Sequence, residues 1–285
     1  MPLSPEYVRR LHKYDLRVLL ALERLMQRYE WVPDDVLRAA ARLSEKELAF
    51  RLARLIEWDM VRHATVPYAG YALIFPGYDA IALHTLSQRG SVSALGSLIG
   101  VGKESEVFSG LGLGPVVLKF HHVGQQSFQA ARKERGYMPE GAHCPWIFAS
   151  ARSAEQEYAA LQRLSPDVAV PLPIDRSRHV IVMSEIPGAT LNRCTLEAPE
   201  EVLDEVLENV RIAYRKGVIH GDLSEFNIMA GDDGVWLIDW PQWIATDHPN
   251  AEALLRRDLE NVLRYFNRKY RIEYPTEEAV GVVIG

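Results

Sequence analysis

The chain is poor in cysteine and has no long apolar run. Its two cysteines, Cys144 and Cys194, lie far apart and show no metal-binding spacing. Neither a disulfide scaffold nor a zinc ribbon is expected, and a reducing compartment is the simplest setting. No apolar stretch approaches the roughly 20 residues that span a bilayer. The opening Met-Pro-Leu-Ser-Pro-Glu has neither the charged start nor the apolar core of a secretory signal. A cytoplasmic location without a membrane partner is therefore expected. Internal repeats and low-complexity tracts are missing. So is an excess of positive charge: the 285 residues carry a net −6. That balance argues against a general nucleic-acid binder.

The charge is unevenly placed. The first ninety residues hold slightly more Lys and Arg than Asp and Glu, so the remainder carries more than the whole deficit. A weakly basic front could touch phosphates while the protein as a whole stays acidic.

That front, 1–90, reads as helices followed by a hairpin. Leu16, Leu19, Leu20, Leu22, Leu25 and Met26 recur at helical spacing. Pro33 with Asp34 and Asp35 predicts a short helix that Asp34 can cap. Ser44 to Glu47 predicts a reciprocal capping box before a helix with Leu48, Leu52, Leu55 and Ile56 on one face. Met60–Val66 and Tyr71–Phe75 predict two strands around a turn, and 79–98 a linker helix and loop. This order suits a winged helix-turn-helix. Arg51 and Arg54 lie off the apolar face and are candidates for nucleic-acid phosphates. A protein-interaction or purely structural role stays open, because the same helix carries Glu45, Glu47 and Glu57.

In the middle, Gly100-Val101-Gly102-Lys103-Glu104-Ser105 leads through Glu106 to Val107. Two glycines between apolar residues suggest a hairpin whose backbone can approach phosphates. It is not a Walker loop, since Glu follows the Lys. Lys119 then sits inside the apolar run Val116–Phe120. Such a Lys needs a partner; Glu157 and Glu155, on a helix expected to open at a Ser153–Gln156 capping box, are the candidates, with Glu157 preferred because it flanks the buried face. His121-His122 and His143 with Cys144 show no tetrahedral spacing and are read as solvated loop residues. His179–Gly188 is a buried strand leaving into a turn. In a two-lobed kinase it would be the hinge, with Met183 lining the pocket and backbone near Ser184 and Ile186 bonding adenine.

The richest stretch is Val218–Trp243. Asn227 follows Asp222 by five residues, and Asp239 closes an apolar Val-Trp-Leu-Ile run. Protein kinases space their catalytic Asp and metal-binding Asn in this way. Asn227 and Asp239 offer the hard oxygens that Mg2+ (or Mn2+) takes beside ATP phosphates. Asp222 is left to deprotonate or position a nucleophile. Lys119, Lys103 and the loop amides would neutralise phosphate charge. Met229 and Ile238 would floor the adenine.

His220-Gly221-Asp222-Leu223-Ser224-Glu225-Phe226-Asn227, Ile238-Asp239-Trp240-Pro241-Gln242 and the Gly-Lys-Glu-Ser loop resemble the RIO family of atypical serine/threonine protein kinases. With the winged-helix front, the branch is the one usually called type two. The resemblance covers essentially the whole chain. It implies an α+β fold: an N-terminal winged helix-turn-helix, then a trimmed two-lobed protein-kinase-like domain over 91–285, with lobes about 91–187 and 188–285. An activation segment is not expected, and no Ala-Pro-Glu follows Pro241. The resemblance further implies an ATP-dependent kinase or ATPase in late maturation of the small ribosomal subunit. Its partner would be the precursor particle, rRNA and ribosomal proteins. It also implies transient phosphorylation of Asp239 and autophosphorylation at Ser127. Trp240 stands where Phe is usual, as it does in small-molecule phosphotransferases acting on aminoglycosides. Such an enzyme, or a nucleotide-sensing winged-helix scaffold, is the competing reading. Oligomeric state is not legible.

Overall fold

A computed structural model describes residues 5–124 and 146–285. The expected Ser127 phosphorylation site, His143 and Cys144 lie outside the described residues. The chain forms two compact units. Of the described residues, the first holds those up to Ala154 together with Asp175–Val182; the second holds Glu155–Ile174 and Met183–Gly285.

The first unit begins with helices α1 (Pro5–Arg10), α2 (Lys13–Leu25), α3 (Asp34–Ala41) and α4 (Glu45–Glu57). Strands β1 (Val61–Ala64) and β2 (Gly70–Leu73) pair as an antiparallel wing. Val18, Leu22, Leu37, Leu48, Leu52, Leu55 and Leu73 bury their side chains in one apolar cluster, the winged helix expected from the periodicity. Two caps differ from expectation. Pro33, not Asp34, is the N-cap of α3, and it makes no side-chain cap bond. Asp34 therefore sits in the first turn, where its charge faces the positive helix end. At α4, Ser44 Oγ accepts the Glu47 amide at 3.3 Å, but Glu47 turns to Arg51 at 2.6 Å instead of reaching back.

Helix α5 (Phe75–Gln88) starts before the expected linker helix, with Pro76 in its first turn. It is apolar nearly all round, as befits a helix buried on several sides. Tyr78 and Ile81 join the winged-helix cluster. Ala82, Leu83 and Leu86 join a second cluster with Phe108, Leu118, Phe120, Val180 and Val182. That second cluster lines the main sheet, in the order β3 (Ala94–Val101), β4 (Ser105–Leu111), β5 (Pro115–His121), β7 (Val180–Ser184), β6 (Pro173–Ser177).

The helix expected to open at Ser153 begins earlier, at Trp146, and runs to Leu164. The serines are no caps: Ser150 Oγ bonds the Trp146 carbonyl and the Val123 amide, and Ser153 Oγ meets His121 Nδ1 at 3.1 Å. Nor are the two histidines solvated loop residues. His121 ends β5 and is buried, and His122 is half-buried just beyond it.

In the second unit, strands β8 (Ala189–Thr190), β10 (Ile228–Gly231) and β11 (Gly234–Leu237) form a small sheet, and β9 (Val218–Ile219) pairs with β12 (Ile244–Ala245). Helices Pro199–Arg215, Ala251–Tyr270 and Thr276–Ile284 complete it. Among the described residues no helix is long and apolar enough to cross a membrane.

Candidate active-site elements

In the first unit the glycine stretch forms the tip of the β3–β4 hairpin. The Gly102 amide donates to the Ser105 carbonyl at 2.8 Å, closing a tight turn with Lys103 exposed. Gly100 pairs with Val107, and Val107 pairs with Lys119 on β5. Paired residues on neighbouring strands share a face. Lys119 therefore emerges on the same face as Val107, beside a position where Gly100 carries no side chain. β5 is an interior strand between β4 and β7, and Lys119 is buried. This is no edge strand with the ammonium in open water.

In the second unit two loops meet through the β10–β11 hairpin. Ile228 pairs with Leu237, so Asn227 enters one strand where Ile238 leaves the other. The Ile238 amide donates to the Asn227 carbonyl at 3.0 Å. Asp239 is the next residue, at φ 68°. A non-glycine residue in this region is strained, and such residues cluster at functional sites. Asn227 Nδ2 donates to the Asp222 carbonyl at 2.8 Å. Its amide nitrogen thus faces the protein, and Oδ1 is the atom able to ligate. Asp222 is exposed, and Gln242 Nε2 lies 3.5 Å from its Oδ2. One exposed carboxylate, one oriented amide oxygen and one strained carboxylate are hard-oxygen donors of the kind magnesium takes.

The His-Gly-Asp turn is held from beneath. His220 Nε2 lies 3.0 Å from the Ile238 carbonyl, and its ring packs on Trp240, centroids 4.4 Å apart. Trp240 is buried, with Nε1 donating to the Leu237 carbonyl at 3.1 Å and its amide to Glu157 Oε1 at 3.3 Å. The indole therefore has a structural task that needs no small-molecule substrate. Gly221 adopts φ +76°, and a Cβ there would stand 2.7 Å from the Gln242 carbonyl. Only glycine fits such a turn without strain.

Asp258 escaped the sequence reading. It lies on the Ala251–Tyr270 helix and is buried, accepting the Gly221 amide at 2.7 Å and the Leu223 amide at 3.0 Å. Desolvation pushes its carboxyl up to about 6, against the pull of those two amides and Arg257, with Asp222 adding to the rise. Arg257 in turn donates to the Gly221 carbonyl.

Other expectations find these places. Glu157 is buried, and Met229 and Ile238 are half-buried on the hairpin. The Ser184 amide is taken by the Leu172 carbonyl at 2.9 Å, so it is not an adenine donor. Arg51 and Arg54 do not present themselves as phosphate contacts. Both pair with the fully buried Asp15 on α2, and Arg54 also lies over the Trp58 ring.

Comparison with known proteins identifies the family. The family described as RIO domain matches residues 102–279, and that described as Rio2, N-terminal, matches 8–89. The chain belongs to the RIO kinase family, in its Rio2 branch. It is 40% identical over 262 residues to the RIO-type serine/threonine-protein kinase Rio2 of Methanocaldococcus jannaschii, covering 89% of this chain and 96% of the relative. It is 35% identical to the serine/threonine-protein kinase rio2 of Schizosaccharomyces pombe, covering 94% and 80%. Among solved structures, the Rio2 kinase–ADP/Mg2+–phosphoaspartate complex of Chaetomium thermophilum superposes with a TM-score of 0.83 at 30% identity. The match covers 98% of this chain and 89% of that one.

Proposed function

We propose that this RIO-family protein is an ATP-dependent serine/threonine kinase or ATPase that uses Mg2+ and passes phosphate through Asp239. The observation that carries the reading is the β10–β11 pairing, which brings Asn227 and the strained Asp239 to adjacent strand ends with Asp222 tied to Asn227. Bound Mg2+ would neutralise triphosphate charge and align the γ-phosphoryl group. Asn227 Oδ1 and an Asp239 oxygen would hold it.

The remaining work falls to the chain. Amides of Gly100–Ser105 cradle the phosphates, and Lys103 and Lys119 offset their charge. Glu157, already anchored by the Trp240 amide, stays the proposed carboxylate partner of Lys119. The Ser184 carbonyl and the Ile186 amide meet the adenine edge, with Met183, Met229 and Ile238 around the ring. Asp222 accepts the proton of an attacking hydroxyl or water. Attack of an Asp239 carboxylate oxygen on the γ-phosphorus breaks its bond to the β–γ bridging oxygen, releases ADP and leaves an acyl phosphate; water then hydrolyses this to the carboxylate and inorganic phosphate. The phosphoaspartate in the Chaetomium relative supports this step.

The partner is proposed from the family resemblance: a precursor of the small ribosomal subunit, rRNA and ribosomal proteins, met in the cytoplasm late in its maturation. Ser127 remains the proposed autophosphorylation site.

Incubation with labelled ATP and Mg2+ tests the chemistry. A phosphoprotein labile to hydroxylamine is expected, lost in Asp239→Asn and in Asp222→Ala. Unchanged hydrolysis and labelling in Asp222→Ala would end the enzyme reading.

A further inference from the structure

Away from the kinase loops, three ligand-type side chains converge within the first unit. Asp79 comes from α5, His122 from just past β5, and His179 from the turn between β6 and β7. Their ligand atoms all lie within 4.8 Å of one another. Asp79 Oδ1 stands 3.1 Å from His122 Nε2 and 2.6 Å from His179 Nε2. Asp79 and His179 are buried. His122 opens on a cavity of about 450 Å³ that also meets Glu106, Phe75 and Trp146.

The imidazoles are held by their packing. His179 stacks on Tyr78 with centroids 4.4 Å apart and planes 13° apart. His122 packs on Phe75 at 4.3 Å, and Phe75 on Trp146 at 3.9 Å. Behind His122, Glu106 Oε2 lies 3.8 Å from Nδ1, where metal-bound histidines usually find a carboxylate that takes the second ring N–H. His179 Nδ1 is buried without a hydrogen-bond partner.

We propose that Asp79, His122 and His179 form a two-histidine, one-carboxylate site for a first-row divalent transition metal, with zinc the expected occupant. Soft and borderline cations take imidazole nitrogen, whereas magnesium prefers oxygen alone. Metal–ligand bonds of about 2.0–2.2 Å set tetrahedral donors roughly 3.3 Å apart. The His122 pair already stands close to that distance. The His179 pair must open by less than about 1 Å. Each Nε2 proton, which faces Asp79, moves to Nδ1 so that the neutral ring can ligate. The cavity side leaves a coordination position for water or a small ligand. Once filled, the site fastens the linker helix α5 to the sheet. It also fixes the residue whose backbone amide holds the Glu104 carbonyl of the phosphate turn at 2.7 Å.

The alternative is a metal-independent His–Asp–His hydrogen-bond network, and metal content separates the two. The full chain is stripped with EDTA, exposed to zinc in excess Mg2+, desalted and assayed by elemental analysis. One zinc per chain is expected in the wild type and in Asp239→Asn, with a raised thermal midpoint in both. His122→Gln, which keeps a donor for Asp79, is expected to bind no zinc and show no zinc-dependent shift. Should that variant fail to fold, cobalt titration of the wild type decides. The intense d–d absorption of a four-coordinate nitrogen/oxygen site, quenched by zinc, is expected. Wild type without stoichiometric zinc overturns the proposal, as does cobalt without that absorption. So does zinc kept by His122→Gln but lost in Asp239→Asn, which would place the ion on the kinase metal loop.

Discussion

The Asp258 carboxylate holds the Gly221 backbone: its Oδ2 accepts the Gly221 amide at 2.7 Å, while Oδ1 takes the amide of Leu223 at 3.0 Å. Asp222 therefore sits between two amides pinned to one buried carboxylate, and the His-Gly-Asp turn takes its shape from a helix far downstream. Asp258→Asn keeps the volume but can accept only one of the two amides. Such charge-assisted bonds contribute about 1.5–3 kcal/mol. ATP turnover should fall about 10- to 100-fold with the fold intact, read by steady-state hydrolysis beside circular dichroism.

The same carboxyl, raised to about 6 by burial, links stability to pH. A raised pKa means that the native state binds the proton more tightly than the unfolded chain. The group's contribution is thus complete below about pH 4 and disappears as pH rises through 6. Urea denaturation from pH 4 to 8 should show wild type losing stability relative to Asp258→Asn by an amount on the order of 3 kcal/mol. Activity should run the other way, rising as Asp258 ionises and accepts both amides.

Gly221→Arg installs the residue that ordinary protein kinases carry. At φ +76°, with a carbonyl 2.7 Å from the new Cβ, the turn must distort. A loss of about 1–3 kcal/mol is expected, seen as a lowered thermal midpoint together with reduced ATP turnover. Normal stability in this variant would contradict the geometry.

Trp240→Phe should be mild by comparison. It removes the indole bond to the Leu237 carbonyl and some buried volume, at about 1–3 kcal/mol. Turnover is expected to stay within a few-fold of wild type. A large fall in turnover with unchanged stability would assign Trp240 a part in the chemistry.

In the winged helix, Arg51→Ala combined with Arg54→Ala leaves Asp15 buried and without its cations. Breaking a buried pair from one side typically costs about 3–5 kcal/mol. Adding Asp15→Asn should recover part of that loss in urea denaturation. If the arginines only faced solvent, the double variant would be nearly neutral.

These residues show which parts of the molecule could be read in advance. The meeting of Asp222, Asn227 and Asp239 was legible because it depends on spacing along one short stretch. The winged helix was legible because apolar periodicity reports a buried face directly. Periodicity does not say what stands opposite a polar residue, so Arg51 and Arg54 looked solvent-facing while Asp15 waited on another helix. Asp258 was hidden for a similar reason: an acidic residue beside Arg256 and Arg257 on a helix looks like ordinary surface charge. Asp79, His122 and His179 meet only through tertiary folding. Ser153 imitated a helix start because a serine followed by Glu155 and Gln156 resembles a cap, yet its hydroxyl meets His121.

The division of the chain into units also bears on its synthesis. The first unit is not contiguous: it includes Asp175–Val182, which follows Glu155–Ile174 of the second along the chain. Arg178 in that late segment makes paired bonds to Glu23 at 2.6 and 2.9 Å, and His179 reaches back to Asp79. A nascent chain that stops after the winged helix lacks these partners. Residues around 175–182 must leave the ribosome before those contacts can form, so they are added late to helices whose own apolar cluster needs nothing from that segment.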